Sequence, residues 1–154
     1  MTATSAQLRR KLAHANASCA CFNLRRATRA VTQLYDDALR PSGLRVTQFS
    51  LLVILQSNGS LSISELATHS GTDRTTLTRN AALLQAEGLV KIDSGADARV
   101  RLVSLTSAGL RAVEDAYPRW AAVQEILMKQ VGSDVVTRLL RDLTSLSYRV
   151  PTTT

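Results

Sequence analysis

Two arginines and three threonines stand close together in the middle of the chain, with no carboxylate among them. They are Arg74, Thr75, Thr76, Thr78 and Arg79. An arginine can bind a guanine edge through two hydrogen bonds, and a threonine can contact a phosphate or a thymine methyl group. A helix that exposes these side chains is therefore suited to contact with the major groove of DNA. The alternative interpretation is an ordinary amphipathic helix whose polar face is solvated.

The residues around this cluster predict two helices joined by a tight turn. A short helix precedes Ser70–Gly71, where glycine accommodates the positive φ of such a turn. The second helix is expected to begin near Thr72 or Asp73, either of which can accept its free N–H groups.

The second helix has one apolar face. Leu77, Ala81 and Leu84 recur at steps of four and three residues, which predicts that this face is buried. At about 100° per residue, the opposite side then carries Thr75, Thr78 and Arg79.

After Gly88 the apolar residues alternate, which predicts a β-hairpin with a turn at residues 94–97. Seven apolar residues build its strands: Leu89, Val90 and Ile92 in the first, and Val100, Leu102, Val103 and Leu105 in the second. Asp97, Arg99 and Arg101 are spaced by two, which in a strand places them on one side, opposite the apolar side chains. Helix, turn, helix and hairpin in this order predict a winged helix-turn-helix.

The hairpin tip offers a second contact with DNA. Arg99 can enter a narrow minor groove, and the carboxylate of Asp97 can hold its guanidinium group. The alternative is a surface hairpin with a solvated ion pair, which contributes little energy.

Three short segments resemble the MarR family of bacterial transcription regulators: DRTTLTR at 73–79, EGLV at 87–90, and Asp97-x-Arg99 followed by LVSLT at 102–106. The resemblance implies a homodimeric repressor that binds a pseudo-palindromic operator in double-stranded DNA and is released by an effector. It also implies that Arg99 is the wing arginine and Asp97 its orienting partner. Gly95 and Ala96 depart from the family, which often has basic residues there.

We expect a mainly α fold with a small β-hairpin wing, in the order α-α-α-α-β-β-α-α. Residues 1–45 and 107–154 are expected to form the dimerisation region, and residues 46–106 the DNA-binding region, within one compact domain. The first helix is predicted from about Leu8 to Leu39, and later helices over Ser107–Gln130 and Val135–Tyr148. Pro118 is expected to kink or break the helix that contains it.

The overall charge favours a polyanionic partner, although the charge is unevenly distributed. The 154 residues carry a net charge of +7, of which residues 1–45 hold +6, residues 46–106 hold zero and residues 107–154 hold +1. No apolar run reaches membrane-spanning length, and the two cysteines cannot form a disulfide framework, so a cytoplasmic protein without a membrane partner is expected.

The sequence predicts neither an enzyme nor a cofactor-binding protein. It lacks a glycine-rich phosphate loop and a Ser/His/Asp spacing typical of hydrolases. His14 and His69 are far apart and have no carboxylate partner nearby, so no metal site is expected.

The segment CFNLRRATRAVTQLY at 21–35 resembles the first helix of the organic-hydroperoxide-sensing (OhrR) branch of the same family. The resemblance implies that Cys21 is a peroxide-reactive thiol and that Tyr35 hydrogen-bonds it across a dimer. Arg25, one turn beyond Cys21, favours the thiolate. Arg25 and Val46 stand where that branch usually has tyrosines, and Cys19 is an additional cysteine.

Other interpretations of these residues stay open. Cys19 and Cys21 are alternatively free thiols in the core. The effector is alternatively a small aromatic ligand, in a pocket lined by Phe22, Arg26, Tyr35, Phe49, Tyr117 and Trp120. A thiol peroxidase acting through Cys21 and an interaction module that has lost DNA binding are the remaining classes.

Overall fold

The computed structural model describes residues 3–95, 97 and 99–150; Ala96, in the predicted hairpin turn, lies outside them. The helices are α1 Ala3–Ser18, α2 Ala20–Leu39, α3 Val46–Asn58, α4 Ile63–Ser70, α5 Arg74–Ala86, α6 Ser107–Val131 and α7 Ser133–Arg149. The strands are β1 Leu61–Ser62, β2 Val90–Ser94 and β3 Arg101–Leu105, and a 3-10 turn covers Arg40–Ser42. The predicted mainly helical fold with a small wing is confirmed.

One core joins α2, α3, α4, α5, the sheet and the first half of α6. Its most deeply buried large side chains are Leu39, Leu52, Leu55, Leu66, Leu77, Leu84 and Val103. The predicted inward face of α5 is thus confirmed, because Leu77, Ala81 and Leu84 are all buried.

The three strands form an antiparallel sheet in the order β1-β3-β2. Val103 pairs with Leu61 on one side and with Ile92 on the other, and it is fully buried. Alternation along β3 places Arg101 on the same face as Val103, so the prediction that Arg101 stands opposite the apolar side chains is wrong. The predicted hairpin itself is confirmed, and β1 widens it into a sheet that packs on the core.

The single helix predicted over Leu8–Leu39 is wrong, because the chain leaves the helical conformation at Cys19. Cys19 has φ −75° and ψ 111°, and its Sγ accepts a hydrogen bond from the Phe22 backbone N–H. The side-chain amide of Asn23 donates to the carbonyls of Asn16, Ala17 and Cys19 at 3.1, 3.2 and 2.9 Å. These bonds satisfy the end of α1 and the start of α2, so the described chain has one helix more than expected.

Pro118 does not break its helix, so of the predicted kink or break the break is wrong. α6 runs for 25 residues on both sides of it. Pro118 is exposed, and so is Glu114, whose carbonyl loses its helical donor. Solvent can supply that donor, which lets the helix continue.

The helices outside the core expose apolar side chains. On α7 the exposed aliphatic side chains are Val135, Leu139, Leu140, Leu143 and Leu146. None of the helices in the described ranges is long and apolar enough to cross a membrane. Patches of this kind on a protein surface are typical of protein–protein contact.

Candidate nucleic-acid interface

The helix α5 is held at its start by the turn that the sequence predicted. Gly71 adopts the left-handed conformation with φ +64° and ends α4. Asp73 is the N-cap of α5, and its carboxylate accepts the Thr76 backbone N–H at 2.9 Å. Hydrogen bonds from the side chain and backbone of Thr76 hold the pKa of Asp73 below its ordinary value of 3.8.

The exposed side of α5 divides into an outer face and two flanks. Thr75 and Arg79 lie on the outer face, opposite the buried residues. Arg74 and Thr78 lie on the flank towards the wing, and Thr76 lies on the flank towards α3. The predicted contact residues are therefore not on one surface, and each flank borders a different cleft.

The cleft between α5 and the wing has a volume of about 370 Å³. Its polar lining is Ser62, Ser64, Arg74, Thr78, Arg99 and Arg101. The structure thus brings together four predicted residues from α5 and the wing. The Thr78 hydroxyl donates to the Arg74 carbonyl at 2.8 Å, which leaves its methyl group and oxygen lone pairs for an outside partner.

Of the residues that line the cleft between α5 and α3, the sequence had predicted only Thr76 as a contact residue. This cleft has a volume of about 440 Å³, and its polar lining is Thr47, Ser50, His69, Ser70, Thr72, Thr76 and Asn80. Sequence periodicity identifies the buried face of α5 but not which neighbouring helix borders each flank. Ser64, in the other cleft, was missed for the same reason.

At the wing tip, Asp97 and Arg99 lie in the turn and not in a strand. The turn is closed by Gly95 N–H donating to Val100 O at 2.8 Å and Val100 N–H donating to Asp97 O at 2.9 Å. The Asp97 carboxylate accepts the backbone N–H of Arg99 at 2.9 Å. It therefore shapes the turn that carries Arg99, where the sequence had suggested a contact with the guanidinium group.

Each carboxylate of residues 46–106 has a partner other than an arginine side chain. In a capping box, the Glu65 backbone N–H donates to Ser62 Oγ at 3.2 Å and the Ser62 N–H donates to the Glu65 carboxylate at 2.8 Å. Hydrogen bonding from the side chain and backbone of Ser62 to this carboxylate lowers the pKa of Glu65. Glu87 accepts from Gln48 at 3.3 Å, and Asp93 pairs with Lys91 at 2.9 Å. Asp73 and Asp97 accept backbone N–H groups, as described above.

The arginine side chains of residues 46–106 are available to an outside partner. They are Arg74, Arg79, Arg99 and Arg101, all exposed. Within the part of the chain that the structure describes, none of them forms an ion pair. A segment with zero net charge thereby presents a basic face, which suits phosphate contact.

Both cysteines are exposed in the single chain, and neither contributes to its core. Cys19 lies at the break between α1 and α2, and Cys21 lies in the first turn of α2. Arg25 is exposed one turn further along the helix. The interpretation of these thiols as core residues is therefore wrong for the isolated chain.

Tyr35 is separated from Cys21 by fourteen residues of α2, or about 21 Å, so the two cannot meet within one chain. The Tyr35 hydroxyl donates to Gln124 Oε1 of α6. Burial raises the pKa of Tyr35 above its ordinary value. In the single chain this tyrosine links α2 to α6.

Three of the candidate aromatic residues form a stack and not an empty pocket, whereas Phe22 is 41% exposed. The Trp120 ring lies 6.1 Å from that of Phe49 and 5.8 Å from that of Tyr117. Phe49 is buried, whereas Tyr117 is 56% exposed. A neighbouring cleft of about 440 Å³ is lined by Trp120, Gln124, Met128 and Lys129 among others. Among residues 3–95, 97 and 99–150, no cluster of three or more His, Cys, Asp or Glu could hold a metal ion.

Comparison with known proteins agrees with this geometry. The MarR family profile matches residues 42–100, from the end of the 3-10 turn to the wing. The crystal structure of the Mycobacterium tuberculosis transcriptional regulator MosR in complex with DNA is 44% identical, with a TM-score of 0.79 over 85% of this chain and 95% of that chain. The chain belongs to the MarR family.

Two further proteins are similar to this MarR-family regulator. The transcriptional repressor IacR of Pseudomonas putida is 36% identical over 84 residues, 54% of this chain, and the match spans half the length of that repressor. CouR from Rhodococcus jostii, bound to p-coumaroyl-CoA, is 24% identical with a TM-score of 0.74 over 90% of this chain and 98% of that chain. At that identity the likeness to CouR establishes the fold alone.

The cap of α5 predicts a pH-dependent stability. Asp73→Ala should lower the free energy of unfolding at neutral pH, because the N-cap acceptor is lost. The folded pKa lies below 3.8, so the stabilisation is present above pH 3.8 and is lost as pH falls through the folded value. Urea titrations should show the difference from the wild type narrowing in acid. Asp73→Asn, which keeps an acceptor but does not titrate, is the control; a constant Asp73→Ala difference across the acid range contradicts the assignment.

Proposed function

We propose that this MarR-family regulator is a homodimeric repressor that binds a pseudo-palindromic operator and is released by an effector. In this proposal Thr75 and Arg79 read base edges in the major groove, and Arg99 enters the minor groove. Arg74, Thr76, Thr78 and Arg101 contact the DNA backbone on the two flanks of α5.

The observation that carries the proposal is the cleft shared by α5 and the wing. It places Arg74, Arg99 and Arg101 around one opening, and the described carboxylates are occupied elsewhere. Three unpaired guanidinium groups around one cleft would repel one another, and a phosphate backbone would neutralise them. The likeness to MosR, which was crystallised in complex with DNA, supports DNA as the partner.

The homodimer is supported by the apolar face of α7. Leu139 and Leu140 are each 50% exposed, and Leu143 and Leu146 continue the same side of the helix. In a separate monomer this side would remain in water. A second copy of the chain would cover it and would set the spacing of the two reading heads on the operator.

An organic hydroperoxide is one proposed effector. The Cys21 thiolate would attack a peroxide oxygen, so that the O–O bond breaks, the sulfur becomes a sulfenic acid and the peroxide leaves as an alcohol after taking up a proton. The exposure of Cys21 at the start of α2 favours this step, because an oxidant can reach it.

A small aromatic ligand is the second proposed effector. The cleft beside Trp120 combines an indole ring and Met128 with the ammonium group of Lys129. Such a lining suits a flat, amphipathic and anionic molecule. CouR bound to p-coumaroyl-CoA shows that a protein of this fold can hold an aromatic acyl compound.

Removing the wing arginine tests the operator contact. Arg99→Ala should weaken binding to the protein's own promoter fragment by about 1–3 kcal/mol, because an arginine contact to DNA is lost. Fluorescence anisotropy at fixed salt measures the change. Lys129→Ala removes one positive charge at the far end of α6 and should leave the affinity unchanged. Wild-type affinity in Arg99→Ala would refute the wing contact.

Charging the apolar face of α7 tests the dimer. The double variant Leu139→Glu with Leu143→Glu should sediment as a monomer, because two carboxylates cannot be buried without partners. Analytical ultracentrifugation at matched concentration gives the mass. Leu83→Glu alters a leucine of α5 that is 58% exposed and should remain dimeric. A dimeric double variant would show that another surface holds the subunits together.

Cysteine substitutions separate the two effectors. With a peroxide-sensing Cys21, cumene hydroperoxide should release wild-type protein and Cys19→Ser from the promoter fragment, whereas Cys21→Ser should stay bound. Gel shifts under reducing and oxidising conditions record the release. Continued binding of the wild type in peroxide excludes this switch and leaves the ligand as the effector.

A further inference from the structure

The root of the wing is tied to the start of α6 by one threonine. The Thr106 N–H donates to the Leu89 carbonyl at 3.1 Å. Its hydroxyl lies 2.7 Å from the Gly88 carbonyl and 3.0 Å from that of Leu89, and it accepts the Gly109 N–H at 3.0 Å. One side chain thus joins the entry to β2 to the first turn of α6.

Gly109 lets these two elements approach more closely than any other residue would allow. A Cβ at this position would lie 2.1 Å from the Leu89 carbonyl oxygen and 2.8 Å from Leu105 Cδ1. The nearest obstacle is backbone, so β2 would have to move away from α6. Glycine is a poor helix former, and its presence in the first turn of α6 is explained by this contact and not by helix propensity.

The position of the root determines where the wing tip lies. The hairpin extends about 17 Å from its root, given five residues in each strand. A tilt of about 10° at the root would move the tip by roughly 3 Å, which is enough to break a hydrogen bond to DNA. Arg99 and Arg101 lie at that distal end.

We propose that Thr106 and Gly109 are positioning residues that set the angle of the wing on α6 and thereby the reach of Arg99 to DNA. The inference rests on the proposed operator contact of Arg99, and it adds the part of the molecule that holds this arginine in place. Neither residue touches DNA itself in this arrangement.

A double-mutant cycle tests the inference with a readout that general destabilisation would not change. Thr106→Val removes the hydroxyl, Thr106→Ser retains it, and Gly109→Ala introduces the clash. Each is combined with Arg99→Ala and, separately, with Arg79→Ala. Anisotropy with the protein's own promoter duplex gives each Kd, and circular dichroism confirms the helical content.

Thr106→Val and Gly109→Ala should each weaken binding about tenfold, and Arg99→Ala should then add less than about twofold. Arg79→Ala should raise the Kd by the same factor in both backgrounds as in the otherwise wild-type protein, and Thr106→Ser should bind like the wild type.

If Arg99→Ala raises the Kd as much in these backgrounds as in the otherwise wild-type protein, the positioning role is overturned and the operator contact is retained. If Arg99→Ala has no effect even in the otherwise wild-type protein, the operator contact itself has failed and this inference with it. If Gly109→Ala does not fold, Thr106→Val decides the question alone.

Discussion

The burial of one side of α5 is the constraint on which the proposed DNA-contacting surface of this helix depends. Leu77, Ala81 and Leu84 insert into the core, which fixes the rotation of the helix about its axis. Once that rotation is fixed, Thr75 and Arg79 face solvent and the two flanks face the wing and α3. A shift of the buried strip by one position would turn the outer face by about 100° and would expose other side chains there.

The distribution of hydrogen bonds explains how a segment of zero net charge can attract a polyanion. Its five carboxylates cap α4 and α5, shape the wing turn, pair with Lys91 or accept from Gln48, all within the protein. The arginines have no such partners among the described residues. The acidic side chains therefore stabilise the fold, whereas the basic side chains remain exposed to solvent. The net charge alone consequently underestimates the positive electrostatic potential on that surface.

Patterns local in sequence predicted the elements that carry the site. The spacing of Leu77, Ala81 and Leu84 and the glycine at position 71 were sufficient to predict α5 and its turn. The hairpin followed from alternation, although the turn geometry that sends Asp97 to a backbone N–H did not. Asp97 and Arg99 lie in a turn, where the period of two that defines the faces of a strand no longer applies.

The features that sequence reasoning missed depend on contacts between elements. No proline or glycine marks the break at Cys19, which is held by the amide of Asn23 reaching back to three carbonyls. From the sequence, Gly109 is an unfavourable residue for a helix. The structure shows that the Leu89 carbonyl packs against it and leaves no room for a side chain. Pro118 is tolerated because it lies on the solvent side of α6. Each of these outcomes depends on tertiary neighbours that a periodic pattern does not contain.

The helix α6 connects the parts of the chain that a regulator must coordinate. It holds the wing root through Thr106 and Gly109, stacks Trp120 on Phe49 of α3, and accepts the Tyr35 hydroxyl of α2 at Gln124. Because the helix is continuous through Pro118, these contacts all lie on one helix. In the proposed function, an effector bound beside Trp120 would act on the helix that also contacts the wing root and α3. Close packing of the core favours a concerted displacement of these contacts over a local deformation.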